Sequence, residues 1–406
     1  MMSPRKLAKS LLFHTRGIRI RALATPRRVS WLRRRLRLPR NQVFDPLSAA
    51  PRSDVRIVPL DAAATYERPL PVLPDGNAAA GHFFRTRCRE TTSPAYVAEF
   101  KNGVAWGHPT GGIFTADRCF VPAFTHDPCG DRFHTVWTRW SLPEARSLRG
   151  RVLYLVTPEA TDNFHHWMID LLPRIGLVQR AGYALGDFDH VIVNHLSRRY
   201  QLASLERLGL RRDQLVAAHQ NLFVRAEELV VPSLKASNKT FPAADAAFLR
   251  DALLEPNACS PAPRRRLFLT RSDAGFRRLS NEAALHPVLR REGFEIVCPA
   301  TLTLPEQAAL FAEAEIVAGP AGAAFANLAF AAPQTRVLEI TPPGWLAEFH
   351  WMISARLGLH HTVLLGEGPV MRDVPDVSDR ERDITVDPEK FAAALQATLA
   401  ATPAST

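Results

Sequence analysis

EIVAGPAGAAFANLAFAAPQTRVLEI, residues 315–340, holds two short apolar runs on either side of an alanine-rich segment. EIVAG and RVLEI predict strands at 315–319 and 336–340, and the segment between them predicts a helix near 323–331. A strand, a glycine turn, one helix and a second strand make a βαβ unit, whose two strands run parallel. The rhythm repeats outward. Strands are expected at 266–270 (RLFLT), 294–298 (FEIVC) and 361–365 (HTVLL), with helices near 280–291, 304–313 and 345–357. Upstream, strands are expected at 151–156, 190–194 and 229–231, with helices at 163–180, 197–208 and 243–254.

Between these two series, EPNACSPAPRR at 255–265 has three prolines in eleven residues and reads as a linker. Residues 91–150 carry short strand candidates (GVAWG, GGIFT, RCFVPAF), and 41–90 reads as linker plus the edge of a domain. The expected fold class is therefore α/β, with two Rossmann-like domains facing a cleft. The expected division is a basic arm at 1–45, an N-terminal α/β domain at 46–254 and a C-terminal Rossmann-like domain at 266–406.

Charge is unevenly placed along the 406 residues. Met1 to Arg40 holds 13 of the 51 Lys/Arg and none of the 40 Asp/Glu, which leaves 38 cations against 40 anions for the rest. The net charge of +11 thus belongs to the arm, and the body is close to neutral. The arm's apolar runs are too short to cross a bilayer and it has no secretory apolar core. An Arg-rich, acid-free segment suits an anionic membrane surface or partner docking, with a solvated tail without a role, a transit peptide or a nucleic-acid tail as alternatives. A near-neutral body without a recognition motif argues against nucleic acid as a partner. The five cysteines, Cys88, Cys119, Cys129, Cys259 and Cys298, are widely spaced without CxxC, against both a disulfide framework and a zinc site.

Three stretches carry chemistry. In NFHHWMIDLLPR, 163–174, His166 and Asp170 are four residues apart and share one helix face. A carboxylate one turn from an imidazole sets its tautomer and raises its basicity, as a general base requires; a surface contact is the plain alternative. In RLFLTRSDAGFRRLSNEAAL, 266–285, Arg271, Arg277 and Arg278 lie between a strand end and a helix expected to be capped by Ser280. Guanidinium groups there suit a diphosphate, or pair with Asp273 and Glu282. In the GPAGA turn after strand 315–319, Gly319, Gly322 and Ala323 let backbone N–H groups approach a ligand, although tight strand–helix packing selects the same small residues. The turn lacks GxGxxG and a Walker lysine. Asp187-Phe188-Asp189 has a DxD spacing for a divalent metal, and its plain reading is two solvated acids. Glu339, at a strand end, suits ribose hydroxyls, a helix cap or an ion pair.

In this order, the blocks NFHHWMIDLLPR (163–174), RRLSNE (277–282), GFEIVCPATLTLPEQAALFAEAEIVAGP (293–320) and VLEITPP (337–343) resemble family-61 glycosyltransferases, which include bacterial capsular polysaccharide biosynthesis proteins. The resemblance covers about 150 to 365. It implies a GT-B-like two-domain arrangement and an inverting transfer from a nucleotide-diphosphate sugar to a hydroxyl of a glycan or lipid-linked glycan. It also implies catalytic roles for His166 and Asp170, donor-diphosphate binding by Arg271, Arg278, Asn281, Gly319, Gly322 and Ala323, and nucleoside binding by Glu339. With the arginines in the place of a divalent ion, neither a cofactor nor a metal is expected. A cytoplasmic location, peripheral on the inner membrane face through residues 1–40, follows from the same scheme. Many relatives read G-x-H-G-A-G in the turn, where this chain has Ala321. That departure keeps a second function class open, a non-catalytic nucleotide-sugar or glycan-binding protein.

Overall fold

A computed structural model describes residues 44–47, 51–125, 136, 141–234, 240–255, 265–368 and 379–401. The arm up to residue 43 and the linker stretch 256–264 lie outside the described residues. Two large sheets organise the rest.

The C-terminal sheet is five-stranded and parallel, in the spatial order Glu295–Val297, Arg265–Leu269, Ala314–Pro320, Arg336–Thr341, His360–Leu365. These are the five strands read from the apolar runs. The side-chain period of two divides each strand between two cores. Phe268, Ile316, Ala318, Leu338, Ile340 and Leu364 face helices Glu282–Arg291 and Pro388–Ala400. Leu267, Leu269, Val317 and Val337 face the opposite core with helices Leu304–Ala312 and Phe349–Leu357. Helices therefore cover both faces. The chain reverses direction across the sheet between Arg265–Leu269 and Ala314–Pro320, the switch point at which such sheets bind ligands.

The N-terminal sheet is mixed, in the order Val55–Asp61, Ala95–Lys101, Phe223–Pro232, Arg146–Tyr154, His190–Val193, Leu215–Ala217. Its last four strands are mutually parallel and its first two pair antiparallel. Here the structure departs from a Rossmann-like reading. Helices Pro173–Arg180, Arg199–Arg207 and Ala243–Leu253 all send their apolar residues to one core, which also holds Leu153, Val191 and Val230. The other face, with Val152, Tyr154, Ile192 and Val231, is covered by Ile113, Val121 and Phe124. The path 146–154 to 190–193 to 215–217 moves in one direction, and right-handed crossovers in one direction place helices Pro173–Arg180 and Arg199–Arg207 on one side.

That helical side packs against the C-terminal sheet. Trp167, Met168 and Leu249 share a single core with Phe311, Phe325 and Leu328. Arg250 Nη1 donates to the carbonyls of Phe330 and Ala331, at 2.6 and 3.0 Å, across the same boundary. Residues 65–91, near the start of the chain, pack on the C-terminal sheet as well. Val72 bridges Thr362, Phe84 meets Trp351 edge-on at 5.0 Å, and buried Arg68 reaches Glu348 at 3.0 Å. Among the described residues no helix is long and apolar enough to cross a membrane.

Two expected helices are wound differently. Ala323–Phe330 is a 3₁₀ helix, a narrower winding that suits a segment buried against both halves. The expected helix 163–180 begins as a turn at Phe164–His166, widens to a π-helix at Trp167–Leu171 and resumes at Pro173–Arg180. Pro173 has no N–H to give to Ile169, so the ladder cannot continue in α register and the Leu172 N–H bonds to Trp167 at 3.0 Å instead.

Candidate active site

His166 leaves the carboxyl end of strand Arg146–Tyr154, at the N-terminal sheet's own switch point between that strand and Phe223–Pro232. Arg174, four residues past Asp170, fixes this corner. Its buried guanidinium donates to the carbonyls of Leu155 at 2.8 Å and Pro232 at 2.8 Å, tying the two strand ends together. Burial lowers its pKa to about 10. Asn163 starts the helical segment by accepting the His165 N–H at 2.9 Å.

The expected pair forms. His166 Nδ1 lies 2.6 Å from Asp170 Oδ2, and both residues are buried. A residue absent from the sequence reading completes it: Glu159 Oε2 lies 2.7 Å from His166 Nε2. Burial works against charge on the ring, but the hydrogen bonds to Asp170 and Glu159 prevail and raise the His166 pKa to about 9. The neighbouring His165 sits edge-on to His166 at 5.4 Å and to His350 at 5.6 Å.

His350 carries the site across to the C-terminal sheet. Its ring stacks on Phe325, two residues past Ala323, at 5.1 Å, and its Nδ1 lies 2.6 Å from Glu339 Oε1. Glu339 faces inward because Leu338 and Ile340 take the alternate face of the strand. Its second oxygen is 3.1 Å from His361 Nε2. Although burial opposes its charge, the two histidines hold this carboxyl well below the ordinary range. Both Glu339 oxygens are thus engaged by histidines.

At the second switch point, Arg271 follows strand Arg265–Leu269 and meets the turn after Ala314–Pro320. A Cβ at Gly322 would overlap the Arg271 guanidinium, and Gly319 has φ of +149° with Leu269 O only 2.6 Å from where its Cβ would lie. Only glycine permits this approach. Arg277, with φ of +55°, turns its guanidinium between the rings of Phe276 and Trp345, 5.1 Å from each centroid. The Nε atoms of Arg271 and Arg277 are both buried without a hydrogen-bond partner. Among the described residues neither arginine makes an ion pair. Burial, reinforced by the adjacent charge of Arg271, lowers the Arg277 pKa to about 10, and burial lowers that of Arg271 as well.

Arg278 and Asn281 turn elsewhere. Exposed Arg278 pairs with Asp383 at 2.8 Å. Asn281 Nδ2 donates to the Val386 carbonyl at 2.7 Å and its Oδ1 accepts the Val386 N–H at 3.3 Å, so it holds the chain ahead of the last helix. Asn281, not Ser280, stands at the N-cap position, without a side-chain cap, and Ser280 gives its N–H to the Ile384 carbonyl at 2.8 Å. Ala321 is buried and its N–H bonds Ile340 at 2.8 Å. The DxD acids are also engaged: Asp187 accepts the Ala184 N–H and Asp189 the Arg151 N–H, each at 2.8 Å. Among the described residues no group of three His, Cys, Asp or Glu has metal-holding geometry.

Residues 164–338 match the family model for Glycosyltransferase 61. The matched span contains His166, Asp170, Arg271, Arg277, Gly319 and Gly322 and ends one residue before Glu339. No curated protein matches the chain.

Proposed function

We propose, from the premise that residues 164–338 belong to glycosyltransferase family 61 and make this chain a glycosyltransferase, that it moves a sugar from a nucleotide-diphosphate donor to a glycan hydroxyl with inversion. The observation that carries the donor assignment is the pair Arg271 and Arg277. Two adjacent guanidinium groups, largely buried and without carboxylate partners, are unfavourable unless an anion with two charged groups arrives. A diphosphate is such an anion, and it gains negative charge as the glycosidic bond breaks, when the arginines stabilise it most. They take the role of a divalent ion, so the scheme needs no metal.

His166 is the base in this scheme. Asp170 holds Nδ1, leaving Nε2 to take the acceptor proton as its oxygen attacks the anomeric carbon. The residues of 46–254 form the acceptor side and those of 266–406 the donor side of a GT-B-like pair, with Gly322 and Ala323 at the phosphates. Glu339 orients His350 at the boundary. Phe276 and Trp345 flank Arg277 and offer aromatic surface to the nucleoside. A lipid-linked acceptor at the cytoplasmic membrane face, reached through the basic arm, and a place in capsular or other surface polysaccharide synthesis agree with this chemistry.

Calorimetry with inorganic pyrophosphate and UDP, on the wild type and on Arg277→Ala and Arg278→Ala, tests the donor site. Loss of binding in Arg277→Ala but not in Arg278→Ala supports it; equal binding by all three rejects it.

A further inference from the structure

Glu159 stands where the acceptor hydroxyl must stand. In the scheme above Nε2 of His166 receives the acceptor proton, yet that atom is already 2.7 Å from Glu159 Oε2. With carboxylates at both ring nitrogens, Asp170 on Nδ1 and Glu159 on Nε2, both nitrogens donate and the ring carries a proton too many to act as a base.

The loop that presents Glu159 is built to hold it. Asn194 Oδ1 accepts the Thr157 N–H at 2.9 Å and Asn194 Nδ2 donates to the Thr157 carbonyl at 2.8 Å. Gln201 Nε2 donates to the Thr161 carbonyl at 2.7 Å. Asn194 and Gln201 are both buried. Between these anchors Glu159 has φ of +66°, a left-handed conformation that is strained for a non-glycine residue. A strained backbone under a side chain aimed at a functional histidine points to a role for that side chain. The Glu159 side chain is itself 54% exposed, against 7% for His166, so it can swing into solvent while the ring stays in place.

We infer that Glu159 is a positioning residue that occupies the acceptor-hydroxyl place at His166 Nε2 and keeps the base protonated until an acceptor displaces it. On displacement the Nε2 proton passes to solvent. In the transfer that follows, the acceptor O–H bond breaks and its proton goes to Nε2. The oxygen bonds the anomeric carbon, and the sugar–phosphate bond breaks with its electron pair going to the diphosphate. Waiting in the protonated form protects a bound donor from transfer to water. The titratable groups around the ring are Asp170 and His165 on its own segment, Glu159 on the loop, Arg174 beyond Asp170, and His350 across the boundary by way of His165. The 3₁₀ helix Ala323–Phe330 brings none. Of these, Asp170 and Glu159 touch the ring nitrogens.

The inference rests on His166 being the base, and its test separates the two. Glu159→Gln keeps shape and removes charge; Glu159→Gly also relieves the left-handed strain. The His166 titration is followed by NMR of histidine-labelled protein, alongside its carbethoxylation by diethyl pyrocarbonate, with exposed His195 as internal standard. Both variants should titrate at least one unit below the wild type. His166 modification at pH 7 should rise roughly tenfold for each unit. Hydrolysis of a panel of sugar nucleotides, with water as acceptor, should show its acid limb shifted by the same amount. An unmoved titration with His166→Ala inactive overturns the role of Glu159 and leaves the base assignment standing. Full activity in His166→Ala overturns the base assignment and the inference with it.

Discussion

Gly322 lies so close to Arg271 that a single methyl group on the glycine would occupy the place of the guanidinium. The two residues follow neighbouring parallel strands at the point where the chain reverses direction across the C-terminal sheet. Their contact puts a half-buried cation beside the backbone of the glycine turn, and the proposed donor site stands on that arrangement.

Gly322→Ala and Gly319→Ala should therefore fail in different ways. At position 322 the obstructing atoms belong to the end of a flexible arginine, so folding stability should fall by less than about 1 kcal/mol while pyrophosphate binding weakens. At position 319 the obstructing atom is the Leu269 carbonyl oxygen, 2.6 Å from the new Cβ, which cannot yield. Urea unfolding should show Gly319→Ala destabilised by about 1–3 kcal/mol or more.

Truncating the arginines separates neighbours in sequence. Arg277→Ala removes a partly buried charge and should weaken diphosphate binding by about 1.5–3 kcal/mol, roughly 10- to 150-fold in Kd. Arg278→Ala removes an exposed ion pair with Asp383 and should leave Kd essentially unchanged. Calorimetric affinities for pyrophosphate in the reverse order would contradict the placement.

His166→Ala and Asp170→Asn should each lower sugar transfer by roughly 10²–10⁴-fold without unfolding the protein. Initial rates of nucleotide release, with circular dichroism as the control for folding, measure this. Transfer at the wild-type rate in both variants would remove the base from the scheme.

Stability should depend on pH through the same histidine. Its pKa is raised to about 9 in the folded protein from an unperturbed 6.5. A raised pKa means that the charged ring stabilises the fold fully below about pH 6.5, and that this contribution is lost as pH climbs through about 9. The contribution is at most about 3 kcal/mol, less the solvent screening at half-exposed Glu159. Tm should fall between pH 7 and 9.5 in the wild type and less so in His166→Ala.

Glu339→Ala leaves two buried histidines without their shared carboxylate and should destabilise the protein by about 1–3 kcal/mol. Thermal unfolding measures that loss. An intact Tm with a weakened affinity for UDP, but not for pyrophosphate, would favour the ribose contact for Glu339.

Much of the architecture was legible along the chain. The five strands of the C-terminal sheet stand where short apolar runs predict them, since a strand buried on both faces has to be apolar throughout. The antiparallel strands Val55–Asp61 and Ala95–Lys101 were not legible: VRIVPLD is a half-exposed edge strand broken by Pro59, and AYVAEFK, although inside the sheet and largely buried, is interrupted by Glu99. The helix break at Leu171 was written in Pro173. Glu159 had no signal, because a single acid in a proline-preceded turn looks solvated until the fold brings it to His166.

By itself the sequence determined the alternation of strands and helices, the His166–Asp170 spacing and the order of the blocks that resemble glycosyltransferase family 61, because these depend on local periodicity and covalent neighbours. Only the tertiary structure decided which side chains face inward. Arg277 turns to the site through a left-handed backbone while Arg278 turns to Asp383, and Glu339 is taken by His350 and His361. Those choices depend on groups up to about a hundred residues away along the chain, brought within hydrogen-bond reach by the folding of the C-terminal sheet and its connections, and no local pattern encodes them.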